Sequence, residues 1–397
     1  MSFKKDFPIF QNNPDLVFFD STSTTQKPEY VITGVKKYLE NDYSNIHRGM
    51  YDIAIHSEKL YKKSKEIVAR HIGASDIKEI IYTYNSTYAS NLLTSSLKKS
   101  NYLKAGDKVL LSIVEHHANL VPWLILKEEI GIEIEFIGID DDYNLDLKDF
   151  DEKYDENVKV IALTHVSNVT GQIFDLKKIG KRKRDDTLFI VDASQSVPHM
   201  RVDVNELNCD ALFFTGHKVL ALSGIGILWG KKELLNQLIP SFSGGGAIGE
   251  VTCDKYSNAT LPDKFEPGTP NIVGAVSLLR AFEYIEGIGG FEEIEEKEAE
   301  LIEYFLEKLK TFENIELMGS SKAKNRVGVF SLVINNYHSD DVAELLAENG
   351  IAVRSGKHCA HPLFAKLGYA NSLRVSLYLY NTKKDIDKFF DVISKLK

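Results

Sequence analysis

Seven short β-rich runs alternate along the chain with helix-like segments: EIIYTY (79–84), KVLLSI (108–113), EIEFIGI (133–139), VKVIALTHV (158–166), TLFIVDA (187–193), CDALFFTG (209–216) and GIGILWG (224–230). The helix-like stretches between them include 86–100, 117–130 and 175–184. This alternation constrains the fold more than any other feature. Strands that are apolar throughout need cover on both faces, and the intervening helices supply it, so the pattern predicts an α/β fold on a mostly parallel wound sheet. In such sheets ligands bind beyond the carboxyl ends of the strands.

After about residue 275 the texture changes. Residues 291–312 read as one amphipathic helix with apolar Ile294, Leu301, Ile302, Phe305, Leu306 and Leu309, followed by NRVGVFSLVI, a helix at 339–349, IAVRSG and LRVSLYLY. A smaller α+β domain is expected there. A chain of 397 residues suits two domains, and the expected division is a large domain over 20–275 and a small one over 276–397, with residues 1–19 packed on the latter.

Composition removes several function classes. The net charge is −9, and the one dense basic cluster, at 181–184, runs straight into Asp185 and Asp186, which argues against a nucleic-acid partner. Cys209, Cys253 and Cys359 are too scattered for a disulfide framework and lack the paired spacing of a zinc ribbon, so a reducing compartment is expected. No apolar stretch reaches the ~20 residues of a membrane helix. The expectation is a soluble, cytoplasmic protein without a membrane partner.

The chemistry concentrates around VDASQS and FFTGHK. Asp192 closes one apolar strand and Lys218 follows the next, so both fall at one sheet edge. Such a pair is either a structural ion pair or part of a cofactor site. Gln195 lies just after the aspartate, and Thr215 and His217 sit beside the lysine, which adds amide, hydroxyl and imidazole groups suited to an anionic cofactor. Pyridoxal phosphate uses such a set: an aspartate keeps its ring nitrogen protonated, a lysine bonds its aldehyde, and hydroxyls with backbone amides take its phosphate.

The segments VDASQSVPHMRVDV, FFTGHKVLALSGIGILWG, GGGAI, KFEPGTPN and VRSGKHCAHPL resemble those of class V aminotransferase-fold enzymes, most closely the SufS-like (group II) cysteine desulfurases, also called selenocysteine lyases. The likeness runs from VFFDSTSTTQKP at 17–28 to LYLYNT at 377–382. It implies the fold type I of pyridoxal-phosphate-dependent transferases and the cofactor pyridoxal 5'-phosphate. It also implies a homodimer that acts on L-cysteine or L-selenocysteine and passes sulfur to a SufE- or SufU-like acceptor for iron–sulfur cluster assembly.

By this resemblance Lys218 matches the cofactor-bonding lysine, Asp192 the partner of the ring nitrogen, and Gln195 a contact of the phenolic oxygen. His116, in EHHAN, matches the imidazole stacked on the ring, while His117 is left without a role. Asn168 matches an asparagine beside cofactor and substrate. Ser86, Thr87, Thr215 and His217 match phosphate-site positions, and Thr269 a threonine that reaches the neighbouring subunit's phosphate. Arg374 has the fork for bidentate capture of an amino-acid carboxylate, and Arg354 is placed with it in the substrate set. Cys359, beside Arg354, Lys357 and His358, is the expected sulfur-accepting nucleophile, since neighbouring cations favour the thiolate. The roles imply an enzyme that turns L-cysteine into L-alanine and carries the sulfur as a persulfide on Cys359.

One segment departs from the family, which usually reads close to R-G-T-T-E-G-I-N where this chain has Tyr84-Asn85-Ser86-Thr87-Tyr88-Ala89-Ser90-Asn91. Ser86 and Thr87 keep hydroxyls, and Asn85 is expected to supply the left-handed backbone that a glycine would allow. Three competing readings follow from the same residues: another class V transaminase or lyase that needs no loop cysteine, a degenerate sulfur-transfer scaffold, and a zinc hydrolase built from His116, His117, His358, Cys359 and His361. The last lacks a helical H-E-x-x-H, so no metal is expected.

Overall fold

The computed structural model describes residues 3–396. All seven β-rich runs form strands of one sheet: β1 (Ile80–Thr83), β2 (Lys108–Ser112), β3 (Glu133–Ile137), β4 (Val158–Thr164), β5 (Leu188–Asp192), β6 (Ala211–Thr215) and β7 (Gly226–Gly230). Their order is β1-β7-β6-β5-β4-β2-β3, and only β7 runs antiparallel to its neighbours. Successive strand residues point to opposite faces, and the two cores divide accordingly. Phe189, Val191, Leu212 and Phe214 join one cluster, while Leu188, Ile190, Ala211 and Phe213 join the other. Burying each large side chain removes it from water at a gain of roughly 1.5–3 kcal/mol. The helices Ser86–Lys99 and His117–Ile130 cover the second face.

The C-terminal segment builds a separate antiparallel sheet from β8 (Ile315–Met318), β9 (Val329–Ile334), β10 (Arg354–Gly356) and β11 (Ser372–Ser376), in the order β8-β9-β11-β10. The helix Phe291–Leu309 packs on it through the apolar face seen in the sequence, with Leu301, Ile302, Phe305 and Leu306 buried. The N-terminal segment is stitched to the same region: Val17 and Phe18 pair in parallel with Ile351 and Ala352, and Asp20 bridges to Ser376. Residues 1 and 2 of the expected N-terminal segment lie outside the described residues. Residue 275 falls inside the helix Ile272–Gly287, which packs against the helices Glu29–Asn41 and Asp52–Ile72.

Candidate active site

The carboxyl ends of β2, β4, β5 and β6 meet at one edge. Asp192 is the last residue of β5, pairs in register with Thr164 on β4, and is 3 % exposed. Burial pushes its carboxyl above the usual range, against the hydrogen bond from Ser194 N–H at 2.9 Å and the nearby Lys218 ammonium. Lys218 ends the single turn Gly216–Lys218 that follows β6. Burial pulls its amine down to about 8, with Arg374 pulling the same way and Asp192, Cys359 and Asp20 resisting. Those interactions place Lys218 within electrostatic reach of both the strand-end aspartate and the C-terminal loop. A lysine held this far below its usual range is a nucleophilic amine near neutral pH.

His116 caps the helix His117–Ile130, and its Nδ1 accepts the Ala118 N–H at 3.1 Å, which puts the ring proton on Nε2. Burial first, then Lys218, His117 and Arg374, lowers it to about 3, so the ring is neutral and fit to stack on a flat heterocycle. The preceding Glu115 is 1 % exposed and accepts from Ser112 Oγ, Thr164 N–H at 3.0 Å and Asn119 Nδ2 at 2.7 Å, tying β2, β4 and the helix together beneath His116.

A close backbone approach forms where β7 passes between its neighbours. Gly226 pairs with Thr83 on β1 and Thr215 on β6, and a Cβ on it would come within 2.5 Å of the Asn85 backbone. The glycine therefore lets the N-terminus of the helix Ser86–Lys99 approach this edge, where its free N–H groups attract an anion. Asn85 itself corrects the expectation drawn from the sequence. It is extended, at φ −171° and ψ 175°, and acts as the helix cap by accepting Tyr88 N–H at 2.8 Å. Capping, not left-handed backbone, is what an asparagine offers at this position. Tyr88 contacts Tyr84 and Phe242, with ring centroids 5.2 and 6.1 Å apart, in place of the family's acid.

Three buried polar atoms around this edge have no partner: Thr22 Oγ1, Gln195 Oε1 and Thr215 Oγ1. Unpaired buried polar atoms are costly, and their convergence beside Asp192, Lys218 and a helix N-terminus fits a planar, phosphorylated cofactor. Gln195 donates Nε2 to Thr22 O at 2.9 Å, so its Oε1 is the free end. His217 is neutral, lowered to about 4 by burial and then by Lys218 and Lys27, and its carbonyl anchors Thr25 N–H at 3.1 Å. Ser86 is buried, whereas Thr87 and Thr269 are exposed.

The C-terminal segment brings further side chains to this edge. Cys359 is exposed, and it and His358 adopt φ 55° and 49°, left-handed backbone that side chains with a Cβ disfavour. Three bonds hold His358 and Cys359: Asn168 Nδ2 donates to His358 O at 2.7 Å, His117 N–H donates to Cys359 O at 2.8 Å, and His358 Nε2 pairs with Ser372 Oγ at 2.9 Å; beside them His361 N–H donates to His117 Nε2 at 3.4 Å. His117 thus acquires a role that its sequence context did not reveal. Arg374, 4 % exposed on β11, donates to Asn168 O at 3.2 Å, Ser23 Oγ at 2.7 Å and Asp20 at 3.3 Å, and its Nε has no acceptor. Arg354 lies directly across from it in register and binds Asp20 through Nε at 3.2 Å and Nη2 at 2.9 Å. Asp20, Glu115 and Thr22 were missed from the sequence, although Asp20 closes the apolar run VFFD much as Asp192 closes FIVD. No group of three or more metal-ligating side chains occurs among the described residues, and His358 faces Ser372 instead of His117 and His361.

The chain matches the aminotransferase class-V family over residues 17–389. A probable cysteine desulfurase of Synechocystis sp. is 38 % identical over 391 residues, covering 97 % of this chain and 93 % of the relative. The apo structure of a cysteine desulfurase from Thermococcus onnurineus NA1 superposes with a TM-score of 0.94 at 37 % identity, covering 99 % of this chain and 96 % of the other. The structure of the cysteine desulfurase CsdA from Escherichia coli gives 0.91 at 31 % identity, covering 99 % and 97 %.

Proposed function

Because the chain belongs to the aminotransferase class-V family, we propose that it is a pyridoxal-phosphate-dependent cysteine desulfurase, which converts L-cysteine to L-alanine and leaves the sulfur as a persulfide on Cys359. One observation carries the reading. An exposed thiol on a strained, triply anchored loop sits within electrostatic reach of the buried Lys218 and Arg374, at the sheet edge where Asp192 ends its strand. When bound, the cofactor supplies an electron sink conjugated to the substrate Cα.

The chain's own residues do the rest. Lys218 would hold the cofactor through its aldehyde carbon, and its amine would take the Cα proton. Asp192 holds the ring nitrogen in its protonated form. The neutral His116 would stack on the cofactor's ring, and Gln195 would contact its phenolic oxygen. Ser86, Thr87, Thr215, His217 and the helix N-terminus take the phosphate. Asn168 positions both the substrate and the Cys359 loop. Arg374 receives the substrate carboxylate, with Arg354 in the same basic set. The Cys359 thiolate attacks the substrate sulfur, an S–S bond forms as the Cβ–S bond breaks, and the electron pair stays with the carbon skeleton, which is protonated and leaves as L-alanine. Cysteine and enzyme thiol thereby become alanine and enzyme persulfide, with atoms and electrons in balance.

Several extensions belong to the same proposal. The protein acts as a cytoplasmic homodimer in which Thr269, exposed and without a side-chain hydrogen bond in its own chain, reaches the neighbouring phosphate. The persulfide passes to a SufE- or SufU-like acceptor and so to iron–sulfur cluster assembly. L-Selenocysteine presents the same amine and carboxylate and is an alternative substrate. The large domain carries the cofactor set, and the small domain carries Arg354, Cys359 and Arg374. The test is alanine and persulfide detection after addition of L-cysteine to the holoenzyme, with Lys218→Ala and Cys359→Ala as controls; alanine formation that survives Cys359→Ala at the wild-type rate would overturn it.

A further inference from the structure

The stretch that carries Lys218 is strained and is held from outside itself. Leu220, two residues on, has φ 61°, left-handed backbone that a side chain with a Cβ disfavours. Both ends of the stretch are tied to residues 24–27, far away in sequence. The carbonyl oxygen of His217 accepts from Lys27 Nζ at 2.9 Å, Thr25 N–H at 3.1 Å, Thr25 Oγ1 at 3.1 Å and Thr24 Oγ1 at 3.2 Å. Leu220 N–H donates to Thr25 Oγ1 at 3.0 Å. Four donors exceed the two lone pairs of one carbonyl oxygen, and a hydroxyl can turn away, which leaves the Thr25 N–H and Lys27 Nζ as its constant partners. The same Nζ donates to Thr25 O at 2.6 Å, so the half-buried Lys27 joins the two segments to each other. A peptide unit is planar, so a fixed His217 carbonyl also fixes the N–H and Cα of Lys218, from which its stem departs.

We propose that Lys27 is a positioning residue for Lys218, fixing the His217–Lys218 peptide so that the Lys218 amine meets the substrate Cα from one direction. This rests on the reading of Lys218 as the group that holds the cofactor and takes the Cα proton. Lys27 bonds Thr25 and His217 and not the reacting atoms, so it acts through the backbone. Proton transfer needs the base within hydrogen-bond reach of the proton it takes, and a small misplacement lowers the rate of that step more than it lowers binding. Loosening this peptide should therefore show in the rate and in the amides around Lys218, and leave the affinity for an amino acid as it was.

The experiment follows exchange of the L-alanine Cα hydrogen for deuterium by NMR, with the holoenzyme in deuterated buffer. L-Alanine carries no sulfur, so a wild type that exchanges this hydrogen but makes no alanine from L-cysteine overturns only the desulfurase reading. A wild type in which borohydride fixes no cofactor on Lys218 overturns the reading of Lys218, and this proposal with it. Lys27→Met keeps the apolar stem and removes the donors. Its exchange rate at saturating L-alanine should fall about tenfold, while the half-saturating concentration stays within about twofold of wild type. In the same holoenzyme, amide exchange at Val219, Leu220 and Ala221 should speed up about tenfold, without a matching change along β6. A folded Lys27→Met protein whose Cα exchange rate, or whose amides at 219–221, stay within about twofold of wild type overturns the proposal, as does a loss seen only in the half-saturating concentration. Should that variant not fold, Lys27→Gln, whose shorter stem holds its amide back from the His217 carbonyl, decides by the same two readings.

Discussion

Removing the Ser372 hydroxyl should loosen the Cys359 loop without touching any group placed at the reacting atoms. His358 and Cys359 sit at φ 49° and 55°, and a left-handed residue with a Cβ costs roughly 1–2 kcal/mol, so the pair stores about 2–4 kcal/mol. Opposing that strain are the three hydrogen bonds from Asn168, His117 and Ser372, each contributing about 1 kcal/mol net. The two sums nearly cancel, which makes every anchor consequential. Ser372 is 1 % exposed and pairs with an imidazole whose Nδ1 already lacks a partner. Ser372→Ala removes the hydroxyl partner of His358 Nε2, beside an Nδ1 that has none, and should cost the closed loop about 1.4 kcal/mol, a factor of ten in its population relative to open forms. Amide hydrogen exchange over residues 357–361 should speed up roughly tenfold, and single-turnover persulfide formation should fall by a similar factor. The absorbance change on adding L-cysteine should persist, because Lys218, Asp192 and His116 are untouched. Exchange within twofold of wild type across 357–361, or acceleration spread evenly over β9 and β11, would refute the view that strain and anchors are balanced locally.

Burial raises the Glu115 carboxyl to about 7 from a reference of 4.5. Between those values the folded protein keeps a proton that the unfolded chain has released, so this group's contribution to stability declines as pH rises and is fully lost above about 7. Glu115→Gln cannot ionise, and its Tm relative to wild type should be more favourable at pH 8 than at pH 5; a difference independent of pH would contradict the assignment. Thiol labelling should separate the cysteines, since Cys359 is exposed while Cys209 is fully buried and its thiol is pushed well above the usual range by burial and by Asp210. An alkylating reagent should modify Cys359 in the native protein and reach Cys209 only in denaturant, and native labelling of Cys209 would be the contrary result.

The sheet was legible because its strands are buried on both faces, so their apolar runs stand out, and their last residues mark the site edge. The placement of Asp192 and Lys218 at that edge follows from this rule, their roles from the family resemblance, and the helix 117–130 matches the sequence reading to the residue. What remained hidden depends on contacts between distant segments. Asp20 gains its meaning only when the chain end lies beside β11, with Arg354 and Arg374 brought into register by a sheet that local periodicity does not specify. The role of His117 is carried by its backbone N–H and by the His361 N–H that its ring accepts, contacts between segments far apart in sequence. Asn85 was misread because asparagine suits both left-handed turns and helix caps, and the choice was settled by the helix that begins at Ser86.

In the proposed function the Cys359 thiol is the group that takes the sulfur. The most direct measurement is mass spectrometry of the peptide containing Cys359 after one turnover of the holoenzyme with L-cysteine, beside an alanine assay on the same sample. One added sulfur on that peptide and alanine in equal amount are expected for the wild type, and neither product for Lys218→Ala. Cys359→Ala should retain the absorbance response to L-cysteine while producing no persulfide. Sulfur found on Cys209 or Cys253 instead, or undiminished alanine from Cys359→Ala, would contradict it.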